Sequence, residues 1–169
     1  MRKMIYLLLA LVALSSCSKT PDAYSIKVDL EGSEGKWVKL MAMEDRSYVT
    51  FDSVLVEAER PAVMSQSVEG VNTMYLSLED SQGSLQLLIE NASYDISGSL
   101  DDPKISTDSK AQNDLNAYNE KVGPIKEKMS ELVTQLRSGD DATSRESLLE
   151  AYYALNDEKS ALDSLYILE

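Results

Sequence analysis

The hydrophobic pattern of this chain changes period once, at Asp101-Asp102-Pro103, and that switch constrains the fold more than any other feature. Before it, apolar residues recur at every second position in short runs; after it, they recur at alternating steps of three and four. The first pattern belongs to half-buried strands and the second to amphipathic helices. Strands in one block and helices in the next make an α+β chain, because parallel βαβ units require the two to alternate. The expected organisation is an antiparallel β domain over residues 24–103 followed by a helical hairpin over residues 104–169.

Residues 24–30 (Tyr-Ser-Ile-Lys-Val-Asp-Leu) alternate cleanly and end at the turn cluster Glu31-Gly32-Ser33-Glu34-Gly35. A second run carries Trp37, Leu40 and Met41, and a third covers residues 49–57. Pro61 confines the following run, residues 63–68, to a sheet edge or a break. Residues 72–79 alternate again, and the runs 85–89 and 94–100 flank the turn-forming Glu90-Asn91-Ala92-Ser93. Seven or eight short strands at this spacing describe an antiparallel sandwich or a barrel-like sheet.

Ser109 with Gln112, and Thr143 with Glu146, fit the capping box in which Ser or Thr is followed three residues on by Glu or Gln. Two helices are expected from these points. Leu115, Tyr118, Val122, Ile125, Met129, Leu132 and Leu136 form the inner stripe of the first, and Gly123-Pro124 predicts a kink or break within it. The second places Leu148, Tyr152, Leu155, Leu162 and Leu165 inward, with Lys159 as a gap. Residues 110–137 and 144–169 would span about 42 and 39 Å, matched lengths for an antiparallel pair. Tyr166-Ile167-Leu168-Glu169 carries no helix stop. Leu162, Leu165 and Leu168 therefore need cover from the sheet, from another copy or from a further domain.

The amino terminus fixes where the chain resides. Arg2 and Lys3 precede an apolar stretch from Ile5 to Leu14, and Ser15-Ser16 lead into Cys17. The stretch is shorter than the ~20 apolar residues a spanning helix requires. It resembles the lipobox of a bacterial lipoprotein, which implies cleavage after Ser16, a diacylated Cys17 thiol and an acylated new amino terminus. Residues 1–16 are then a signal peptide and residues 17–23 a lipidated tether. Each buried acyl methylene contributes about 0.8 kcal/mol, so such an anchor holds a domain on a membrane without crossing it. The location expected is the cell envelope, at the inner or outer membrane, facing the periplasm or the cell surface.

Composition narrows the chemistry. Of 16 basic residues, Arg2 and Lys3 leave with the signal peptide, so 14 stand against 29 acidic ones and the mature chain has a formal charge of −15. Such a body is repelled by phosphate backbones, which excludes nucleic acid as a partner. The absence of histidine rules out a Ser-His-Asp triad, a His base and a His-ligated metal. With Cys17, the only cysteine, taken by lipid, no Cys-x-x-Cys pair, iron–sulfur cluster or disulfide can form within the chain. The chain itself is expected to be non-catalytic and to need no cofactor.

Several segments carry a family likeness: the first strand of the Tyr-x-Ile-x-Val-x-Leu-x-Gly type, Gly35-Lys36-x-Val38-x-Leu40, Asp52-Ser53-Val54, and Leu87-Leu88-Ile89-Glu90-Asn91 running into Tyr94-x-Ile96-x-Gly98. With the lipobox, in this order and spacing, residues 24 to about 118 resemble the N-terminal domain of unknown function of Bacteroidetes thioredoxin-like and AhpC-TSA-type lipoproteins. The likeness departs where that family has a Gly-Lys-Phe-x-Phe-x-Gly hairpin, since Ala58-Glu59-Arg60-Pro61 stands in the turn and Val63 and Met64 replace the aromatics. The resemblance implies a lipid-anchored accessory domain that positions a thioredoxin-like domain or binds its client. The alternative is a complete envelope lipoprotein that binds a small ligand or a protein between sheet and hairpin.

Few side chains stand out as sites. Glu79-Asp80, Asp101-Asp102 and Asp140-Asp141 are carboxylate pairs, but none fits a calcium loop and all fall in expected turns, so no metal site is assigned. Asn91-Ala92-Ser93 matches an N-glycosylation sequon and reads as a turn. Asp52-Ser53-Val54 and Asp163-Ser164-Leu165 resemble a bacterial Asp-Ser/Thr-apolar O-glycosylation signal, with Ser53 favoured if exposed. Cys17 is the lipidation site expected. Tyr152-Tyr153 cannot both face one helical seam.

Overall fold

The computed structural model describes residues 21–58, 60–138 and 142–167. Eight strands come first: β1 (Ser25–Leu30), β2 (Trp37–Glu44), β3 (Ser47–Leu55), β4 (Ala62–Met64), β5 (Asn72–Leu78), β6 (Leu85–Ile89), β7 (Ser93–Gly98) and β8 (Pro103–Thr107). Two helices follow, α1 (Lys110–Ser138) and α2 (Ala142–Ile167). The strands form two four-stranded sheets, in the orders β4-β1-β7-β8 and β3-β2-β5-β6. The fold is thus α+β, a sandwich rather than a closed barrel.

Period-two alternation sets which side chains meet between the sheets. Ile26, Val28 and Leu30 of β1 are buried while Ser25, Lys27 and Asp29 face out. Val38 and Leu40 from β2, Ala62 and Met64 from β4, Met74, Leu76 and Leu78 from β5, Leu87 and Ile89 from β6, and Tyr94 and Ile96 from β7 join them in the core. Each such side chain contributes about 1.5–3 kcal/mol by leaving water. Tyr24 stitches the layers together at the head of β1. Its ring is fully buried 6.5 Å from the Phe51 ring, and its hydroxyl donates to Asp52 Oδ2 of β3 at 2.7 Å.

One pairing departs from the antiparallel expectation. β1 lies between β4, antiparallel, and β7, parallel, with Ser25 opposite Ser93 and Leu30 opposite Gly98. β6 ends in one sheet and β7 begins in the other, so the chain crosses the sandwich at Glu90-Asn91-Ala92. β3 and β4 do not make the hairpin of the related family. They are edge strands of opposite sheets, and β4 occupies the edge that Pro61 foretold.

The β region also outlasts Pro103. That residue opens β8, where a proline's missing donor is tolerated because the strand is an edge. The period switch therefore belongs at Ser109, not Pro103. Pro124 leaves α1 unbroken, so of the expected kink or break the break does not occur. Pro124 and Glu120 are both exposed, so the carbonyl the proline cannot pair belongs to a solvent-facing residue.

Along α1 every residue of the expected stripe is buried or half-buried, with Val122 and Ile125 the deepest. On α2, Leu148, Tyr152, Leu155 and Leu162 are half-buried, but Leu165 is 63% exposed. Steps of four and three from Leu148 pass through Tyr152, Leu155, Lys159 and Leu162 and arrive at Tyr166. That residue, half-buried, takes the place expected of Leu165. Tyr153 is exposed beside Tyr152, as consecutive helical positions require. The Thr143 side chain and Leu168 lie outside the described residues, and α2 begins one residue ahead of Thr143.

Candidate functional site

The helices meet the sandwich through a seam of amide side chains. Ser109 caps α1, its Oγ accepting from the Gln112 N–H at 3.1 Å. The reciprocal half of the capping box is absent, because the Gln112 side chain turns to the sheet. Its Oε1 accepts from the Leu88 N–H of edge strand β6 at 2.8 Å, and its Nε2 donates to Asn116 Oδ1 at 2.8 Å. Asn116 and Asn113 in turn donate to the Ile105 and Thr107 carbonyls of edge strand β8, at 3.3 and 3.1 Å. The first turns of α1 thus supply hydrogen bonds that neighbouring strands would otherwise make, closing both sheets on one side.

Glu90 takes the helix-terminus role expected of Gln112. Its Oε1 accepts from Ser109 Oγ at 2.6 Å and from the Ala111 N–H at 3.5 Å, placing negative charge at the positive end of α1. Tyr94 anchors the same turn, accepting from the Glu90 N–H and donating to the Leu88 carbonyl, both at 3.0 Å. Burial holds its hydroxyl above the ordinary tyrosine range.

One turn further along α1, a cleft of about 290 Å³ opens between sheet and hairpin, lined by Leu88, Leu115, Tyr118, Asp163 and Tyr166. Leu88 comes from β6, Leu115 and Tyr118 from α1, and Asp163 and Tyr166 from α2. Tyr118 donates to Asp163 Oδ1 at 2.6 Å, and Lys159 Nζ donates to Asp163 Oδ2 at 2.7 Å. The lysine contact first, and the tyrosine second, hold the Asp163 carboxyl below its usual range, while bonding to Asp163 raises both Tyr118 and Lys159. Lys159, which interrupts the apolar stripe, is therefore the partner of a half-buried carboxylate. The Tyr118 and Tyr166 rings meet edge-to-face at 5.1 Å, and Lys121 Nζ lies 5.4 Å from the Tyr166 centroid. This arrangement can hold an apolar group against two aromatic edges beside a fixed carboxylate. It offers no nucleophile paired with a base.

A wider groove of about 470 Å³ lies at the other end of the sandwich, where Lys27, Asp29, Glu34 and Glu57 surround an Arg60 that pairs with Glu57 at 3.3 Å. It is solvated and charge-mixed, without the aromatic walls of the first.

The residues singled out in the sequence are scattered. Ser53 is exposed on edge strand β3, whereas Ser164, also exposed, donates its hydroxyl to the Ser160 carbonyl within α2. The Asn91 side chain exchanges two hydrogen bonds with the Val68 backbone, at 2.9 and 3.0 Å, and serves the fold. Glu79 accepts from the Trp37 N–H, and Asp80 occupies a left-handed turn position at φ 60°. Asp101 and Asp102 are exposed in the β7–β8 turn, and Asp140-Asp141 and Cys17 lie outside the described residues. Among the described residues no three acidic side chains gather closely enough to hold a metal. Glu90, Asn113, Asn116, Tyr118 and Asp163 were not singled out as polar partners. Asn113 and Asn116 carry one sequence signal, as polar residues at helix-facing spacing with Gln112; Glu90, Tyr118 and Asp163 carry none as polar partners.

The leader, residues 1–18, matches the prokaryotic membrane lipoprotein lipid attachment site, and the chain is a membrane-anchored lipoprotein of the cell envelope. No helix among the described residues is long and apolar enough to cross a membrane. Residues 24–116 match the domain of unknown function DUF4369, more than half of the sequence, and the chain belongs to that family. The matched span ends at Asn116, so it takes in both sheets and the amide seam. No curated protein and no solved structure matches the chain.

Proposed function

We propose that this protein is a lipid-anchored, non-catalytic envelope module whose sandwich carries the helical hairpin as a positioning arm for a thioredoxin-like thiol–disulfide exchange domain or its client. The observation that carries this reading is how the hairpin is attached. α1 is bonded to both sheets at its first turns, whereas α2 packs chiefly on α1 and leaves Leu149, Tyr153 and Leu165 exposed. A rigid arm with uncovered apolar side chains suits a partner rather than solvent. The resemblance to thioredoxin-associated lipoproteins supplies the kind of partner. The gene beyond codon 169 tests the arrangement: an in-frame thioredoxin-like segment with Cys-x-x-Cys supports it, and an immediate stop codon overturns it. The second reading, a complete lipoprotein that binds a ligand or protein, is favoured by the cleft at Tyr118 and Tyr166.

Anchoring and chemistry are open to separate measurements. Cys17→Ala is expected to abolish palmitate incorporation and to leave the signal peptide uncleaved, and normal labelling of that variant would refute lipidation at Cys17. The mature chain is expected to reduce insulin no faster than dithiothreitol alone, since it has no second thiol. Turnover above that background would place redox chemistry in this chain.

A further inference from the structure

We infer that the tip of the β2–β3 hairpin is the part of the folded domain that rests on the lipid bilayer. Two independent features converge at one end of the sandwich. The chain enters β1 there, at Tyr24, and seven residue steps back along it stands Cys17. The β2–β3 turn lies at the same end, because β1 begins opposite the start of β7, β7 follows directly on the end of β6, and the end of β6 pairs with the start of β5 beside the end of β2. The inference rests on lipidation at Cys17.

Lengths agree with this placement. Tyr24 meets β3 at Phe51 and Asp52, four and five residues from Ser47, so the hairpin tip projects past the entry point by about 13–17 Å at strand rise. Seven residue steps cover at most about 25 Å. The tether therefore reaches the membrane with the tip in contact, and it is too short to carry the domain far from the surface.

The tip has the surface such contact requires. Met43 and Tyr48 face each other across the two strands, 52% and 54% exposed, and Val49 and Val71 are 44% and 51% exposed. Tyr75 holds the Tyr48 ring edge-on at 5.2 Å. A tyrosine with an apolar body and a polar tip suits the headgroup boundary. Trp37 and Leu55 form another exposed apolar pair on the same sheet, but at the far end, away from the tether. Glu44, Asp45 and Arg46 leave the tip with one excess negative charge, so the lipid it fits is zwitterionic.

The test uses the lipidated full chain in phosphatidylcholine vesicles with an environment-sensitive fluorophore on a single new thiol, Val49→Cys at the tip or Glu34→Cys at the opposite end. Spin-labelled lipids quenching at 49 and not at 34 is the expected result. Absence of quenching at both positions, a blue shift at 49 without quenching, as burial against protein would give, or equal quenching at both, as a domain lying flat would give, each overturns it. Palmitate incorporation, measured on each variant, separates failure of the anchor from failure of the docking.

Discussion

Replacing Tyr24 by alanine is expected to destabilise the domain by about 3–5 kcal/mol, the range for removing a buried aromatic ring, while Tyr24→Phe loses only about 1–2 kcal/mol. Both variants take the hydroxyl from Asp52, which keeps its bond from the Ser53 N–H; the alanine variant also vacates a fully buried site between the sheets, and the phenylalanine variant keeps the ring. Against a typical stability of about 5–15 kcal/mol, the first loss is large enough to see as a shifted urea midpoint at neutral pH. The hydroxyl has its own signature. Burial first, then the bond to Asp52 and its charge, holds the Tyr24 proton well above the ordinary tyrosine value of 10.0. Above pH 10 the unfolded chain releases this proton and the folded chain keeps it, so stability falls as pH rises and is unaffected below. Tyr24→Phe should flatten that alkaline decline without abolishing it, because the buried Tyr94 hydroxyl, raised mainly by desolvation, continues to contribute. An unchanged decline in the phenylalanine variant would refute the assignment.

Gln112→Ala is expected to cost about 2–3 kcal/mol, chiefly from leaving buried polar groups unmet. Gln112 is fully buried on α1, yet its acceptor serves a strand and its donor serves Asn116. Removing it frees the Leu88 N–H, so hydrogen exchange at that amide should accelerate well beyond the change at core amides. Gln112→Leu fills the space without restoring either bond and should not rescue the exchange rate. Retained protection of Leu88 in both variants would show that the seam does not close the sheet edge.

The sandwich and the helical stripe were legible because burial on one face leaves a period that the sequence records directly, as in Ile26, Val28 and Leu30 or Tyr118, Val122 and Ile125. The parallel β1–β7 pair was not, because alternation fixes which face a residue takes and says nothing about which strand lies beside it. Leu165 was misplaced because a step of three and a step of four from Leu162 both land on apolar residues, and only packing chooses Tyr166. The polar partners within the cleft were hidden for a further reason. Tyr118 and Asp163 meet at 2.6 Å across a helix pair, and a tyrosine on an apolar stripe gives no sign that its hydroxyl has a distant carboxylate partner.

The first strand of the domain is also an inner one, flanked by β4 and β7. Its amino terminus is the end from which the chain runs back toward Cys17. Tension applied through the anchor, as in extraction of the acyl chains, therefore arrives at the head of β1. Ladder hydrogen bonds run across the strand, so such a pull strains the bonds to both neighbours together instead of opening them one by one. A pull on the attachment point therefore loads the β1 ladders in shear, while the acyl chains, held in the bilayer by apolar burial alone, can slip free without any covalent bond of the tether breaking.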